Sequence, residues 1–146
     1  MSLFYLPEGL PAPNTSDPLA APYWEAAGQG RLQIQKCRGC GTWQWGPEWI
    51  CHCCHSFDLG WEEVARQGRI YSYQRPHHPV HPALNGHGPY IVVLVELPHA
   101  NHVRMVGNLL GDPVQPVKIG APVEAVFERH ANSTLVQWQM ISPSNV

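Results

Sequence analysis

All five cysteines of this 146-residue chain stand in one stretch, CRGCGTWQWGPEWICHCC (37–54). Cys37 and Cys40 form one C-x2-C pair, and Cys51 and Cys54 form a second, with ten residues between them. In each pair the i and i+3 sulfurs can converge on one ion, and Gly41 permits the backbone turn that aims amides at sulfur. Four thiolates close a tetrahedral shell and leave no position for water. The spacing therefore predicts a structural zinc site with Cys37, Cys40, Cys51 and Cys54 as ligands. Four-thiolate iron uses the same arrangement and stays open as the redox alternative. Cys53 lies between the ligands of the second pair and cannot replace either without breaking the i, i+3 spacing. It reads as an outward free thiol. A redox or acyl-carrying role would need a nearby positive group to lower its pKa, and His52 and His55 are the neighbours at hand.

A second group of chemistry-bearing residues lies downstream. RPHHPVHP (75–82) and NGHGPY (85–90) place His77, His78, His81 and His87 in one Pro/Gly-rich loop. Such histidines can build a metal site or a general-base pocket. The loop, however, has no carboxylate to orient an imidazole, and its prolines keep the path extended. It is read as an exposed or partner-facing loop, with His78 and His81 as candidates for substrate or partner contact. Trp43, Trp45 and Trp49 form the third group. Three large rings in so small a cysteine-bearing unit cannot all be internal, so they are candidates to cover a neighbouring element or meet a partner. No G-x-S-x-G elbow, phosphate-binding Gly-rich loop or H-E-x-x-H helix occurs. Glu62 and Glu63 are neighbours on a strand and face opposite sides. No catalytic residue is predicted.

The elements that position these groups are mostly strands. Only 14% of residues are charged, against 44% hydrophobic, with fifteen prolines, thirteen glycines and six tryptophans. That composition supports a real core built from short strands and turns. A helix is expected within DPLAAPYWEAAGQG (17–30), started near Pro18 or Pro22 and stopped by Gly28 or Gly30, with Tyr23, Trp24 and Ala27 on its apolar face. RLQIQKC (31–37), with Leu32 and Ile34 inward, leads into the first cysteine pair. FDLGWEEVA (57–65), with Phe57, Leu59 and Trp61 alternating, leads out of the second. Five further strands are predicted at 69–75, 90–97, 103–110, 121–130 and 134–141. Five short antiparallel strands fit a five-stranded OB barrel, and an SH3-like barrel or small sandwich would give much the same pattern. The expected organisation is an N-terminal arm and helix over 1–30, a zinc ribbon over 31–66 and a barrel over 67–146.

Charge and targeting signals narrow the function classes. Nine Lys+Arg against eleven Asp+Glu give a net charge of −2, and the basic residues are scattered. Nucleic-acid binding draws its affinity from clustered Lys/Arg, so a single-strand-binding ribbon/OB module is the weaker alternative. The N-terminus lacks a basic segment followed by an apolar run, and YIVVLVEL (90–97) is too short to span a bilayer. A cytoplasmic chain with metal-bound rather than disulfide-bonded cysteines is expected, with no membrane partner.

Several segments together resemble a known family, the acyl-CoA-associated proteins formerly catalogued as domain of unknown function 35. PYWEAAGQGRLQIQKCRGCG (22–41) resembles its helix and first knuckle, and ICHCCHSFDLGWEEVARQGRIYSY (50–73) its second knuckle and first barrel strand. PYIVVLVEL (89–97), VRMVGNLLG (103–111) and VKIGAPVEAVFE (117–128) resemble the rest of the barrel. The family pattern has two prolines and an arginine where this chain has WGPEW (45–49), and a proline where it has His52. The resemblance implies a mainly β chain: an N-terminal helix, a rubredoxin-like zinc ribbon with one structural zinc, then a five-stranded OB-fold. It further implies a non-catalytic accessory or scaffold subunit in a hetero-oligomer with thiolase-like or synthase-like large subunits that make or break carbon–carbon bonds. A chain of this length without an extra domain is also similar to small subunits that accompany C-acetylation of phloroglucinol-type rings in secondary metabolism.

Overall fold

The computed structural model describes residues 4–142. Residues 1–3 of the expected arm and 143–146 of the expected barrel span lie outside the described residues. Helix α1 (Ala21–Gly28) begins with Pro22 in its first turn, where the missing amide costs nothing. It ends where Gly30, at φ +73°, reverses the chain, with Gln29, Gly30 and Arg31 amides taking up the last carbonyls. Tyr23, Ala26 and Ala27 are its buried face.

The ribbon is a three-stranded antiparallel sheet. β1 (Gln33–Cys37) lies between the two-residue β2 (Trp43–Gln44) and β3 (Leu59–Glu63). The β1–β3 register runs from Gln33 opposite Glu63 to Cys37 opposite Leu59. Phe57 falls outside that ladder. Of the expected alternating set Phe57, Leu59 and Trp61, Leu59 is half-buried and Trp61 packs against the core, while Phe57 is 79% exposed. The cause is local: Asp58 N donates to Ser56 Oγ and Leu59 N to Phe57 O, so the chain turns at 56–58 before it can pair.

The second sheet follows the barrel plan. β4 (Gln67–Gln74), β5 (Val92–Leu97), β6 (Val103–Asn108), β7 (Pro122–Arg129) and β8 (Thr134–Met140) are ordered β6-β5-β4-β7-β8, every pairing antiparallel. β4 carries a bulge at Tyr71, between Ile70 and Ser72, which bends it to serve both β5 and β7. Closure comes from the sheet's two edges. Leu109 forms a parallel bridge with Trp138, Leu110 N donates to Trp138 O (2.8 Å) and Asn108 N donates to Gln137 Oε1 (2.7 Å). Gly107 makes that approach possible, since a Cβ there would stand 2.8 Å from Trp138 Cδ1 and 2.9 Å from Val136 O. These contacts curl the five strands into an OB-like barrel.

One hydrophobic cluster serves helix, ribbon and barrel together. Tyr23 and Ala27 of α1 and Leu32, Ile34 and Val64 of the ribbon join Ile70, Val93, Val95, Met105 and Trp138 of the barrel. The N-terminal arm is strapped onto this body. Ile91 N donates to the Tyr5 hydroxyl (3.2 Å), Tyr5 N donates to Glu128 Oε2 (3.1 Å), and Phe4 stacks on His130 with ring centroids 4.0 Å apart. No helix among the described residues is long and apolar enough to cross a membrane.

Candidate metal centre

The two C-x2-C segments fold as matching turns. Gly41 N donates to Cys37 O (2.9 Å) and His55 N donates to Cys51 O (3.0 Å), so each knuckle closes on the residue four positions after its first cysteine. Both closing residues have positive φ, +77° at Gly41 and +61° at His55. Within the turns Cys40 N points at Cys37 Sγ (3.5 Å) and Cys53 N at Cys51 Sγ (3.4 Å). Amides aimed at sulfur favour the thiolate form that a cation needs.

The sulfurs of Cys37, Cys40, Cys51 and Cys54 all lie within 4.8 Å of one another. Across the knuckles, Cys37 and Cys54 sulfurs are 3.6 Å apart and those of Cys40 and Cys51 are 3.7 Å apart. A disulfide would bring two sulfurs to about 2.05 Å. Four thiolates about 2.3 Å from a tetrahedral ion stand about 3.8 Å from each other. The donor set and its spacing fit one zinc-sized ion and not a pair of disulfides.

Electrostatics point the same way. The Thr42 hydroxyl, 3.0 Å from Cys40 Sγ, and then the Thr42 amide pull the Cys40 thiol down to about 6. At Cys54 the Ser56 amide pulls downward, but the neighbouring Cys40 and Cys37 sulfurs outweigh it and push the thiol up to about 12. Four sulfurs this close cannot all ionise on their own, and a divalent cation removes the conflict. Bound zinc would act as a cross-link between the knuckles, its four thiolates leaving no place for substrate. Cys53 is exposed and its sulfur is not a member of the cluster.

The other singled-out residues sit apart from this centre. Trp43 and Trp45 pack against the shared core. Trp45 meets the ring of Tyr23 edge-on at 4.7 Å, and Lys36 Nζ lies 4.6 Å over Trp43. Trp49 is 64% exposed. His78 and His77 are exposed. His81 caps a short 3-10 turn, its Nδ1 accepting from Ala83 N (3.1 Å), and His87 Nδ1 lies 3.4 Å from Gly88 O. The loop histidines do not converge: the four cysteines form the metal-capable cluster among the described residues.

Two residues of the site escaped sequence reasoning. Gln35, a polar neighbour of Ile34 in the strand predicted at 31–37, and Gln44, given no role by the sequence, are 2% and 3% exposed. Their side chains hold the segment that carries Cys51. The signal was faint: Gln35 lies opposite Gln44 across β1 and β2, a pairing visible only once β2 is known. A cavity of about 520 Å³ also opens between the arm and the β7–β8 hairpin. Four of its polar side chains are already engaged in pairs, Glu128 with His130 and Asn108 with Gln137. Glu128 takes Tyr5 N and His130 Nε2 (2.7 Å), while Asn108 bonds Gln137 and Ile91 O.

Residues 24–60 match the family described as ChsH2, rubredoxin-like zinc ribbon domain, and residues 61–128 match that described as ChsH2, C-terminal OB-fold domain. A solved structure described as an Ltp2–ChsH2(DUF35) aldolase contains a chain 39% identical to this one, with a TM-score of 0.75, covering 90% of this chain and 98% of that one. A DUF35 protein of unknown function from Sulfolobus solfataricus, 15% identical with a TM-score of 0.63, shares the fold over 88% of this chain and 89% of its own. A "probable enoyl-CoA hydratase alpha subunit" of Thermomonospora curvata is 45% identical over 101 residues, 69% of this chain and 30% of the relative. A "DUF35 domain-containing scaffold protein" of Methanocaldococcus jannaschii is 31% identical over 97 residues, 64% of this chain and 65% of the relative. The chain thus spans less than a third of the first curated relative and just under two thirds of the second. From its ribbon, its barrel and these matches, the chain belongs to the DUF35 family of ChsH2-type zinc-ribbon and OB-fold proteins.

Proposed function

We propose that this chain is the accessory, scaffold subunit of a thiolase-like enzyme complex that makes or breaks carbon–carbon bonds. The catalytic residues would be supplied by the large subunit, and a structural zinc would be held by Cys37, Cys40, Cys51 and Cys54. The observation that carries the reading is the 39% identity over 98% of a chain in the Ltp2–ChsH2(DUF35) aldolase. The scaffold designation of the Methanocaldococcus relative supports it. So does the closed four-thiolate geometry, which suits a metal that holds a fold rather than one that activates substrate. Zinc is favoured over iron because the matched domain is described as a zinc ribbon. Cysteines kept as metal-ready thiols suit a reducing, cytoplasmic compartment.

Of the two carbon–carbon chemistries, aldol-type cleavage is favoured over C-acetylation of a phloroglucinol-type ring, since the similar complex is described as an aldolase. The test is to look for a thiolase-like protein encoded beside this chain and co-express the two, followed by purification through a tag on this chain alone; the lack of any such protein would count against the reading. A colourless hetero-oligomer with one zinc per small subunit, active on a CoA thioester only when both chains are present, is the expected result. Purification of this chain alone would overturn the reading, and visible absorption from four-thiolate iron would restore the redox alternative. Activity on phloroglucinol and not on an aldol substrate would move the assignment to C-acetylation.

A further inference from the structure

Gln35 and Gln44 make a buried hydrogen-bond relay that neither the family match nor the four-cysteine motif assigns. Glutamine is mostly an exposed residue, and its burial is costly unless every polar atom finds a partner. Here the partners are found. Gln44 Nε2 donates to Gln35 Oε1 (2.8 Å) and to Ile50 O (3.2 Å), and Gln44 Oε1 accepts from His52 N (3.2 Å). Gln35 Oε1 also accepts from Glu48 N (3.0 Å), while Gln35 Nε2 donates to Glu48 O (2.9 Å).

The backbone groups engaged are the telling part. Ile50 and His52 flank Cys51, so Gln44 grips the peptide on both sides of a proposed ligand. Gln35 binds both main-chain groups of Glu48, as a neighbouring strand would. The segment 45–50 forms no strand of its own, and its main-chain groups need partners. The two side chains stand in for the missing ladder. Neither amide can be turned over without facing donor to donor, so the relay has a single arrangement.

We infer that the Gln35–Gln44 amide pair is the positioning device of the second knuckle, holding Cys51 in place through its flanking peptides and tying it to the segment that displays Trp49. The inference rests on the four-cysteine zinc reading. Outer-shell partners of metal ligands, when removed, typically lower metal affinity about 10- to 100-fold. Here the contact runs through backbone rather than through sulfur, and Gln44, with two flanking contacts, should matter more than Gln35, with none.

The experiment loads the full chain with Zn2+ and titrates it with a chromophoric chelator. Gln44→Met, close in shape but without donors or acceptor, should lose zinc at a chelator concentration about 10- to 100-fold lower than the unaltered chain. Gln35→Met should show a smaller loss. With zinc bound, hydrogen exchange should quicken at the His52 amide in Gln44→Met and at the Glu48 amide in Gln35→Met, while Val93 and Val95 in the barrel keep their protection, a contrast that a general packing defect would not give. Should Gln44→Met fail to fold, Gln44→Glu keeps the shape and the acceptor for His52 N while losing the donors, and it should still release zinc earlier. Zinc retention by the Gln44 variant within about twofold of the unaltered chain overturns the inference, as does an equal or larger loss from Gln35→Met. An unaltered chain that takes up no zinc defeats the zinc reading itself.

Discussion

The second knuckle holds a residue its own geometry disfavours, and replacing it tests the whole description of the site. His55 occupies the position that Gly41 fills in the first knuckle: each amide closes on the carbonyl of the first cysteine of its pair, and each φ is positive, +61° at His55 against +77° at Gly41. A side chain in the left-handed region costs about 1–2 kcal/mol. Replacing His55 with glycine removes that cost but frees the unfolded chain, which takes back about 0.4–1 kcal/mol. The side chain is exposed, so little packing is lost with it. The net gain for His55→Gly is therefore roughly 0.5–1 kcal/mol, or about two- to fivefold in the folding equilibrium that zinc binding draws on. Gly41→Ala is the mirror experiment. A Cβ at Gly41 meets nothing within 4 Å, so its penalty is purely conformational and of similar size with opposite sign. The assay is zinc competition with a chelator, read beside the thermal midpoint of the zinc-loaded chain. Unchanged or weakened zinc retention in His55→Gly, with weakened retention in Gly41→Ala, would refute the equivalence of the two turns.

The remaining predictions concern ligands and barrel. Cys37→Ser and Cys54→Ser should each lose zinc and the recovery of folded chain, while Cys53→Ser keeps one zinc per chain by atomic absorption; equal loss in Cys53→Ser would mean that the cluster is misassigned. Gly107→Ala should destabilise the barrel by about 1–3 kcal/mol in a denaturant titration, because its Cβ would press on Trp138, which is wholly buried, and on the Val136 carbonyl; a change below about 0.5 kcal/mol would mean the β6–β8 seam is looser than drawn.

What could be read from the sequence was what local pattern encodes. The apolar run YIVVLVEL reads as a strand, and β5 forms within it with Val93, Val95 and Leu97 buried. The two C-x2-C pairs are self-contained turns, so their convergence follows from spacing. Phe57 misled because alternation says nothing of where pairing starts, and a turn at 56–58 displaced it from the ladder. Gln35 misled for a related reason. A strand residue counted as outward is buried when a loop covers that face, and the loop at 45–50 is brought there by contacts 13 residues away in the chain. Gly107 and the Tyr5 strap depend on still longer separations, 29 residues between Asn108 and Gln137 and 123 between Tyr5 and Glu128. No local pattern reports such meetings.

The same long-range contacts weigh against single-strand binding by this ribbon and OB barrel. Single-strand recognition on this fold uses the loops after the first and fourth barrel strands together with a free basic groove and stacking aromatics. In this chain the arm reaches both loops. Tyr5 meets Ile91 at the end of one, and Phe4 stacks on His130 at the start of the other. Four of the guanidinium groups are also occupied. Arg31 and Arg38 face Glu63 and Asp58, Arg75 donates to the Pro113 and Gln115 carbonyls, and Arg129 donates to Gly28 O. Lys36 is paired with Glu62. A polyanion would have to displace the arm to reach these loops and break these pairs to use these cations, so its affinity would fall short of what clustered free cations give. Among the large apolar side chains left outward are Trp49 beside the second knuckle and Phe57 just after it. Large apolar side chains held out beside a knuckle turn suit contact with another protein better than contact with a charged strand.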